Sequence, residues 1–105
     1  MPYLPRGVAQ PTELLKHLNA LPPFPPGVVN WRYTLDNDWS GDPGIFFWIT
    51  LSDAAAHPTI LRQTTRVITN FITQQLDPAG QWGLIPYFNF RSQSEQAKLK
   101  EEVFG

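Results

Sequence analysis

The residues best suited to chemistry lie in one short loop. Residues 36–42 read Asp-Asn-Asp-Trp-Ser-Gly-Asp, which places three carboxylates and a hydroxyl close together in the chain. Asp36, Asp38, Ser40 and Asp42 reproduce the opening of a calcium-binding loop, where alternate oxygens converge on a cation and glycine permits a sharp turn. The same oxygens suit Mg²⁺ or Mn²⁺ in metal-dependent hydrolysis. One hypothesis is therefore a divalent-cation-binding or metal-dependent hydrolytic domain.

The surroundings of this loop weigh against a calcium site. The twelfth position, where a bidentate Glu closes the ligand shell of an EF-hand, is Phe47. The flanking residues have the alternation of strands, whereas an EF-hand needs helices on both sides. Asp, Asn, Ser and Gly are also the residues that turn most easily. The pattern therefore favours a polar hairpin connection that needs no cofactor.

Other candidate catalytic residues are scarce. His57 precedes Pro58 and follows Ser52 and Asp53 closely. A Ser/His/Asp set is assembled by the fold, so closeness in sequence is no evidence for one. We expect His57 to cap a helix start and His17 to face solvent. The chain also lacks the G-x-S-x-G, G-x-G-x-x-G and P-loop patterns, and no catalytic residue is assigned.

Composition restricts the class of protein. A chain of 105 residues fits a single domain, and its net charge of −1 gives no general attraction to nucleic acid or anionic lipid. The absence of cysteine excludes disulfides and thiolate chemistry. Residues 1–10 are predicted to form a flexible lead without the apolar core of a signal peptide, and no apolar run is long enough to span a bilayer. We therefore expect no membrane partner and, by elimination, a cytoplasmic location.

Hydrophobic periodicity predicts an α+β domain with the order α-β-β-α-β-α. Three strands form a small sheet, and the long amphipathic helix packs across one face of it. The last helix begins with capping-box spacing and is expected to fray towards its end. The predicted helices cover about 11–21, 58–76 and 92–105, and the predicted strands cover about 28–35, 44–51 and 83–90.

The second strand is apolar on both sides. Phe46 and Trp48 lie opposite the Ile45 and Phe47 side, so the strand is central in the sheet or has one face in an interface. If the third strand pairs with the first, the sheet is fully antiparallel. If the third strand pairs with the second, those two strands are parallel. The two-sided apolar pattern favours a central second strand.

Aromatic residues mark a possible recognition surface. Trp39 lies in the acidic loop, Trp82 is predicted in a turn, and Tyr87 begins an aromatic alternation on a strand that Pro86 assigns to a sheet edge. Such a strand can stack single-stranded nucleic acid, but no basic groove accompanies it in the sequence, which weighs against nucleic acid as a ligand. An edge strand with exposed Trp is typical of a sheet that pairs with another protein.

The sequence therefore predicts a non-enzymatic protein-interaction or accessory domain. It would self-associate as a homodimer, or bind a partner protein, through its sheet. The predicted interface residues are Trp39, Phe46, Trp48, Trp82 and Tyr87.

Overall fold

A computed structural model describes the backbone of residues 11–104 and the side chains of residues 12–99. The predicted flexible lead, residues 1–10, lies outside this range. The α+β class and the three-stranded sheet are confirmed. The elements are α1 (Pro11–Asn19), β1 (Val28–Asn37), β2 (Pro43–Leu51), α2 (Leu61–Leu76), α3 (Pro78–Trp82), β3 (Ile85–Ser92) and α4 (Gln93–Phe104).

The sheet has the strand order β1-β2-β3. β1 pairs with β2 antiparallel, and β3 pairs with β2 parallel. The prediction of a central second strand is confirmed, as is the edge position of the strand that contains Pro86. A proline fits there because an edge strand does not need every backbone donor for pairing.

The core fills one side of the sheet. Leu14 and Leu18 of α1 and Ile68 and Ile72 of α2 are buried against the inward side chains of β2, such as Phe47. Each fully buried side chain of this size contributes roughly 1.5–3 kcal/mol relative to an exposed one. The amphipathic stripes of both helices therefore fix which side of the sheet is covered.

The proline-rich segment 22–27, which connects α1 to β1, also contributes to this core through Phe24. The ring of Phe24 stacks on Trp31 with centroids 4.5 Å apart and meets Phe71 at 5.0 Å. Phe24 thus packs against the core between β1 and α2.

The start of α2 differs from its prediction. The helix begins at Leu61 rather than Pro58, because the preceding residues form a separate turn. The backbone N–H groups of Ile60 and Leu61 both donate to the His57 carbonyl, at 3.0 and 2.9 Å. His57 Nδ1 accepts from the Thr59 N–H at 3.2 Å, so the imidazole caps this turn.

A second difference is α3, where the sequence predicts only a turn. Asp77 ends α2 in the left-handed region, and its side chain accepts from the Gly80 N–H at 3.2 Å. Pro78 then occupies the first helical turn, where its missing N–H is harmless. Asp-Pro-Ala-Gly is turn-forming, but the same residues also suit the start of a helix.

This short helix turns Trp82 inward. Trp82 is only 6% exposed, and its Nε1 donates to the Leu76 carbonyl at 2.8 Å. The structure thus places Trp82 in the core, whereas the sequence predicts it at an interface.

The predicted capping box at the start of α4 is confirmed. The Ser92 N–H donates to Glu95 Oε1 at 3.2 Å, and the Glu95 N–H donates to Ser92 Oγ at 3.1 Å. Asp53 adds a long-range tie, since its carboxylate accepts from the N–H and the hydroxyl of Ser94 at 3.0 and 2.6 Å. The Ser94 hydroxyl, followed by the Ser94 N–H, lowers the pKa of Asp53. Among the described helices, none has both the length and the apolar character needed to cross a membrane.

Candidate protein-interaction face

The outer side of the sheet carries a regular array of side chains, here called the open face. It lies opposite α1 and α2, and its members are exposed or half-buried. The strand register places them in three rows across β1, β2 and β3: Thr34–Phe46–Tyr87, Arg32–Trp48–Asn89 and Asn30–Thr50–Arg91. The two-sided apolar character of β2 thus leaves the aromatic side chains of Phe46 and Trp48 on the side away from α1 and α2.

Three aromatic rings form one end of the open face, here called the aromatic end. Phe46 and Tyr87 stack with centroids 4.9 Å apart, and Trp39 meets Tyr87 at 5.5 Å. A Cβ on Gly44 would lie 3.3 Å from both Phe46 and Tyr87, so these rings lean over the glycine. Trp39 is 83% exposed. A packed aromatic pair beside an exposed Trp is the composition of an interface centre.

Asp38 holds the hairpin loop in place. Its Oδ1 accepts from the N–H groups of Ser40 and Asp42, both at 2.9 Å. Its Oδ2 accepts from the Tyr87 hydroxyl at 2.8 Å. The Tyr87 hydroxyl is the main cause that lowers the pKa of Asp38 below its ordinary 3.8, and the same bond raises the pKa of Tyr87 above 10.0. Asp38 therefore fastens the loop that carries Trp39 to the edge strand β3.

The arrangement of the loop does not assemble the cation site that its sequence suggested. Within the described residues, no three His, Cys, Asp or Glu side chains are grouped so as to hold a metal ion. Asp38 already accepts three hydrogen bonds, and Asp36 Oδ1 accepts from the neighbouring Asn37 N–H at 2.7 Å. Ser40 and Asp42 contribute backbone donors to the turn. The residues 36–42 thus make a hydrogen-bonded hairpin connection, which was the favoured interpretation of the loop.

The Ser/His/Asp combination near residue 55 is also not assembled. Ser52 Oγ accepts from the Ala55 N–H at 3.2 Å, Asp53 bonds to α4, and His57 caps its own turn. Each of these side chains thus accepts a hydrogen bond from a backbone N–H that holds the fold in place. His17 is exposed as predicted, and its Nε2 lies 2.7 Å from the Gln75 carbonyl.

The other end of the open face is basic. The guanidinium carbon of Arg32 lies 4.8 Å from the Trp48 ring centroid, a cation–π distance. Trp48 Nε1 donates to Thr34 Oγ1 at 3.4 Å. A cavity of about 390 Å³, here called the basic pocket, opens beside these groups. Its lining includes Asn30, Arg32, Trp48, Thr50, Asn89, Arg91 and Gln96.

Of the five predicted interface residues, the structure brings three into direct contact. Trp39, Phe46 and Tyr87 form the aromatic end, while Trp48 lies one row away, stacked under Arg32. Arg32 and the pocket around it were missed by the sequence. The alternation along β1 predicts that Arg32 lies on the solvent-facing side of that strand. Which side chain of β2 lies beside Arg32 depends on the pairing register.

Comparisons of the chain with protein-family models, with curated proteins and with solved structures gave no match.

Proposed function

We propose that this chain is a non-enzymatic interaction domain that self-associates through the open face. The observation that carries the proposal is the outer side of β2, where Phe46 and Trp48 are only half-buried although their strand is central. Tyr87 and the 83% exposed Trp39 extend this apolar surface. Apolar side chains on a sheet surface gain free energy when a second surface excludes water from them. The cytoplasmic location expected from the composition belongs to the same proposal.

The titratable groups of the open face favour binding over catalysis. Arg32 and Arg91 carry guanidinium groups, which donate several hydrogen bonds in a fixed geometry and suit the binding of a carboxylate. The Tyr87 hydroxyl donates to Asp38, which raises the pKa of Tyr87 and keeps it neutral. Asp38 is kept ionised by its donors and its low pKa. Neither Asp38 nor Tyr87 is therefore poised to exchange a proton near neutral pH.

The size of the open face sets the expected affinity. Three strands spaced about 4.8 Å apart, with roughly seven residues along each, cover about 14 by 24 Å, or about 340 Å² in projection. Two such faces bury roughly 700–1,000 Å² in total, which is below the 1,200–2,000 Å² of a standard stable interface. We therefore expect a reversible homodimer with a Kd in the micromolar range, where a few aromatic contacts supply most of the affinity.

The test is sedimentation velocity from about 1 µM to 1 mM, the range that brackets a micromolar Kd. Trp39→Ser and Trp48→Thr each remove an aromatic ring from the open face. Both are expected to raise the Kd about tenfold or more, as truncation of an interface aromatic does. The matched control is Val67→Ala, which removes exposed apolar surface from α2 on the opposite side of the sheet.

Circular dichroism of each variant checks that the fold is retained. A wild-type chain that stays monomeric across the whole concentration range would overturn the proposal. Equal association by wild type, Trp39→Ser and Trp48→Thr would overturn it as well, since the dimer would then use another surface.

A further inference from the structure

Charge is separated along the strands of the open face. Arg32 and Arg91 lie at one end, in the rows that border the basic pocket. Asp36 lies at the other end of β1, and Asp42 follows in the hairpin loop. The row between these ends, which contains Phe46, carries no charged side chain. The face is therefore a dipolar strip with a neutral aromatic centre.

The basic pocket is lined by two arginines that make no ion pair with any side chain of residues 12–99. Within residues 12–99, the structure records one ion pair, Lys16 with Glu13, so neither Arg32 nor Arg91 meets a carboxylate there. The guanidinium carbon of Arg32 lies over the Trp48 ring. A guanidinium that stacks on an aromatic face can still donate from its N–H edge. That edge suits bidentate binding of a carboxylate.

The spacing of charges on β1 matches a two-fold arrangement. Arg32 and Asp36 are four residues apart on the same side of the strand, a distance of about 13 Å. A two-fold axis along the row of Thr34 reverses the strand direction of the second copy. Arg32 of each copy then faces Asp36 of the other. One symmetric contact thereby forms twice, as an isologous interface requires.

The same two-fold axis also brings side chains near β3 of one copy against complementary side chains of the other copy. Arg91 lies two rows beyond Tyr87 in one direction, and Trp39 contacts Tyr87 from the other direction. The two-fold axis therefore brings Arg91 of one copy near Trp39 of the other. An arginine over an exposed indole gains a cation–π interaction. The aromatic rings of Phe46 and Tyr87 fall on the axis and meet their own copies.

We propose that the occupant of the open face is a second copy of this chain, packed face to face with antiparallel strands. The basic pocket of each copy then receives the acidic loop, residues 36–42, of the other. This inference rests on the proposed self-association and adds its geometry and charge pairing. Charge complementarity selects this occupant, because the spacing from Arg32 to Asp36 repeats in the copy.

The test is charge reversal, followed by sedimentation velocity. Arg32→Glu alone and Asp36→Arg alone each create two like-charge contacts per dimer and should raise the Kd about tenfold or more. An equimolar mixture of the two variants forms heterodimers in which both contacts are again attractive. We expect the mixture to recover wild-type association. Arg66→Glu, which reverses an exposed charge on α2, serves as the matched control.

A second variant separates face-to-face packing from pairing along the β1 edge, in which Arg32 and Asp36 can also meet. Arg91→Glu lies on β3 and weakens association only if the faces pack together. Failure of the variant mixture to recover, or wild-type association by Arg91→Glu, would overturn this arrangement while self-association itself stands. A monomeric wild-type chain would overturn the proposed function and this arrangement together.

Discussion

Trp39 and Trp82 test whether the fold buries one tryptophan and leaves the other exposed. The perturbation is the same at both positions, Trp→Phe, which keeps an aromatic ring but removes the indole N–H. Trp82 is 6% exposed and donates to the Leu76 carbonyl at 2.8 Å, whereas Trp39 is 83% exposed. We therefore expect a large loss of stability at Trp82 and almost none at Trp39.

The size of the loss at Trp82 follows from its contacts. Without the indole N–H, the Leu76 carbonyl loses its partner in a buried position, which costs about 1–3 kcal/mol. The smaller ring leaves a void that adds about 1 kcal/mol. A total of about 2–4 kcal/mol lowers the Tm of a domain of this size by roughly 8–30 °C. Trp39→Phe should change the free energy of unfolding by less than about 0.5 kcal/mol, as exposed substitutions do.

The measurement is urea and thermal unfolding followed by circular dichroism, at a protein concentration below the range of association. The urea m-value should stay constant, because neither variant changes the surface exposed on unfolding appreciably. A Trp82→Phe variant within about 0.5 kcal/mol of wild type would refute the buried hydrogen bond. A Trp39→Phe variant as unstable as Trp82→Phe would refute the exposed position of the loop.

Three further predictions concern stability. Ser92→Ala removes a capping-box partner of α4 and should cost about 1 kcal/mol in urea unfolding; an unchanged midpoint would contradict the cap. Because the pKa of Asp38 is lowered by the Tyr87 hydroxyl, the stability from this bond is present above pH 3.8 and is lost as pH falls through the folded pKa. Tyr87→Phe should therefore lose less stability than wild type in acid unfolding, and parallel acid profiles would argue against the bond. Gly27→Ala should lower the Tm more than Gly41→Ala does. Both glycines have positive φ, but of the two only Gly27 would bring a Cβ against a neighbouring side chain, at 2.8 Å. Equal losses of Tm would contradict that clash.

Local patterns in the sequence were sufficient for much of the fold. The apolar residues on both sides of β2, among them Phe46 and Trp48, predicted its central position, since only a central or interface strand tolerates that pattern. The capping box of Ser92 and Glu95 was also readable, because both partners lie within one helical turn. These features depend on residues near one another in the chain.

Features that depend on contacts between residues distant in the chain could not be predicted from the sequence. α3 begins with residues that equally suit a turn, and only packing of Trp82 into the core decides between the two. Arg32 was visible as a polar residue on β1, but its place over Trp48 depends on the register of the hairpin. The bond between Tyr87 and Asp38 joins residues 49 positions apart, so it follows from the pairing of β3 with β2.

The hydrogen bond between Tyr87 and Asp38 joins the acidic loop, which suggested a cation site, to the open face. Asp38 was a candidate cation ligand because it is an acidic residue in a turn, yet its oxygens accept from the turn and from Tyr87. The bond ties the hairpin loop to β3 and thereby fixes the position of Trp39 beside the aromatic end. A fixed side chain loses less conformational entropy when a partner binds, so its contact contributes more to affinity. The acidic loop thus holds a tryptophan in place. If the proposed self-association occurs, Tyr87→Phe should weaken it in sedimentation velocity although the aromatic ring is retained.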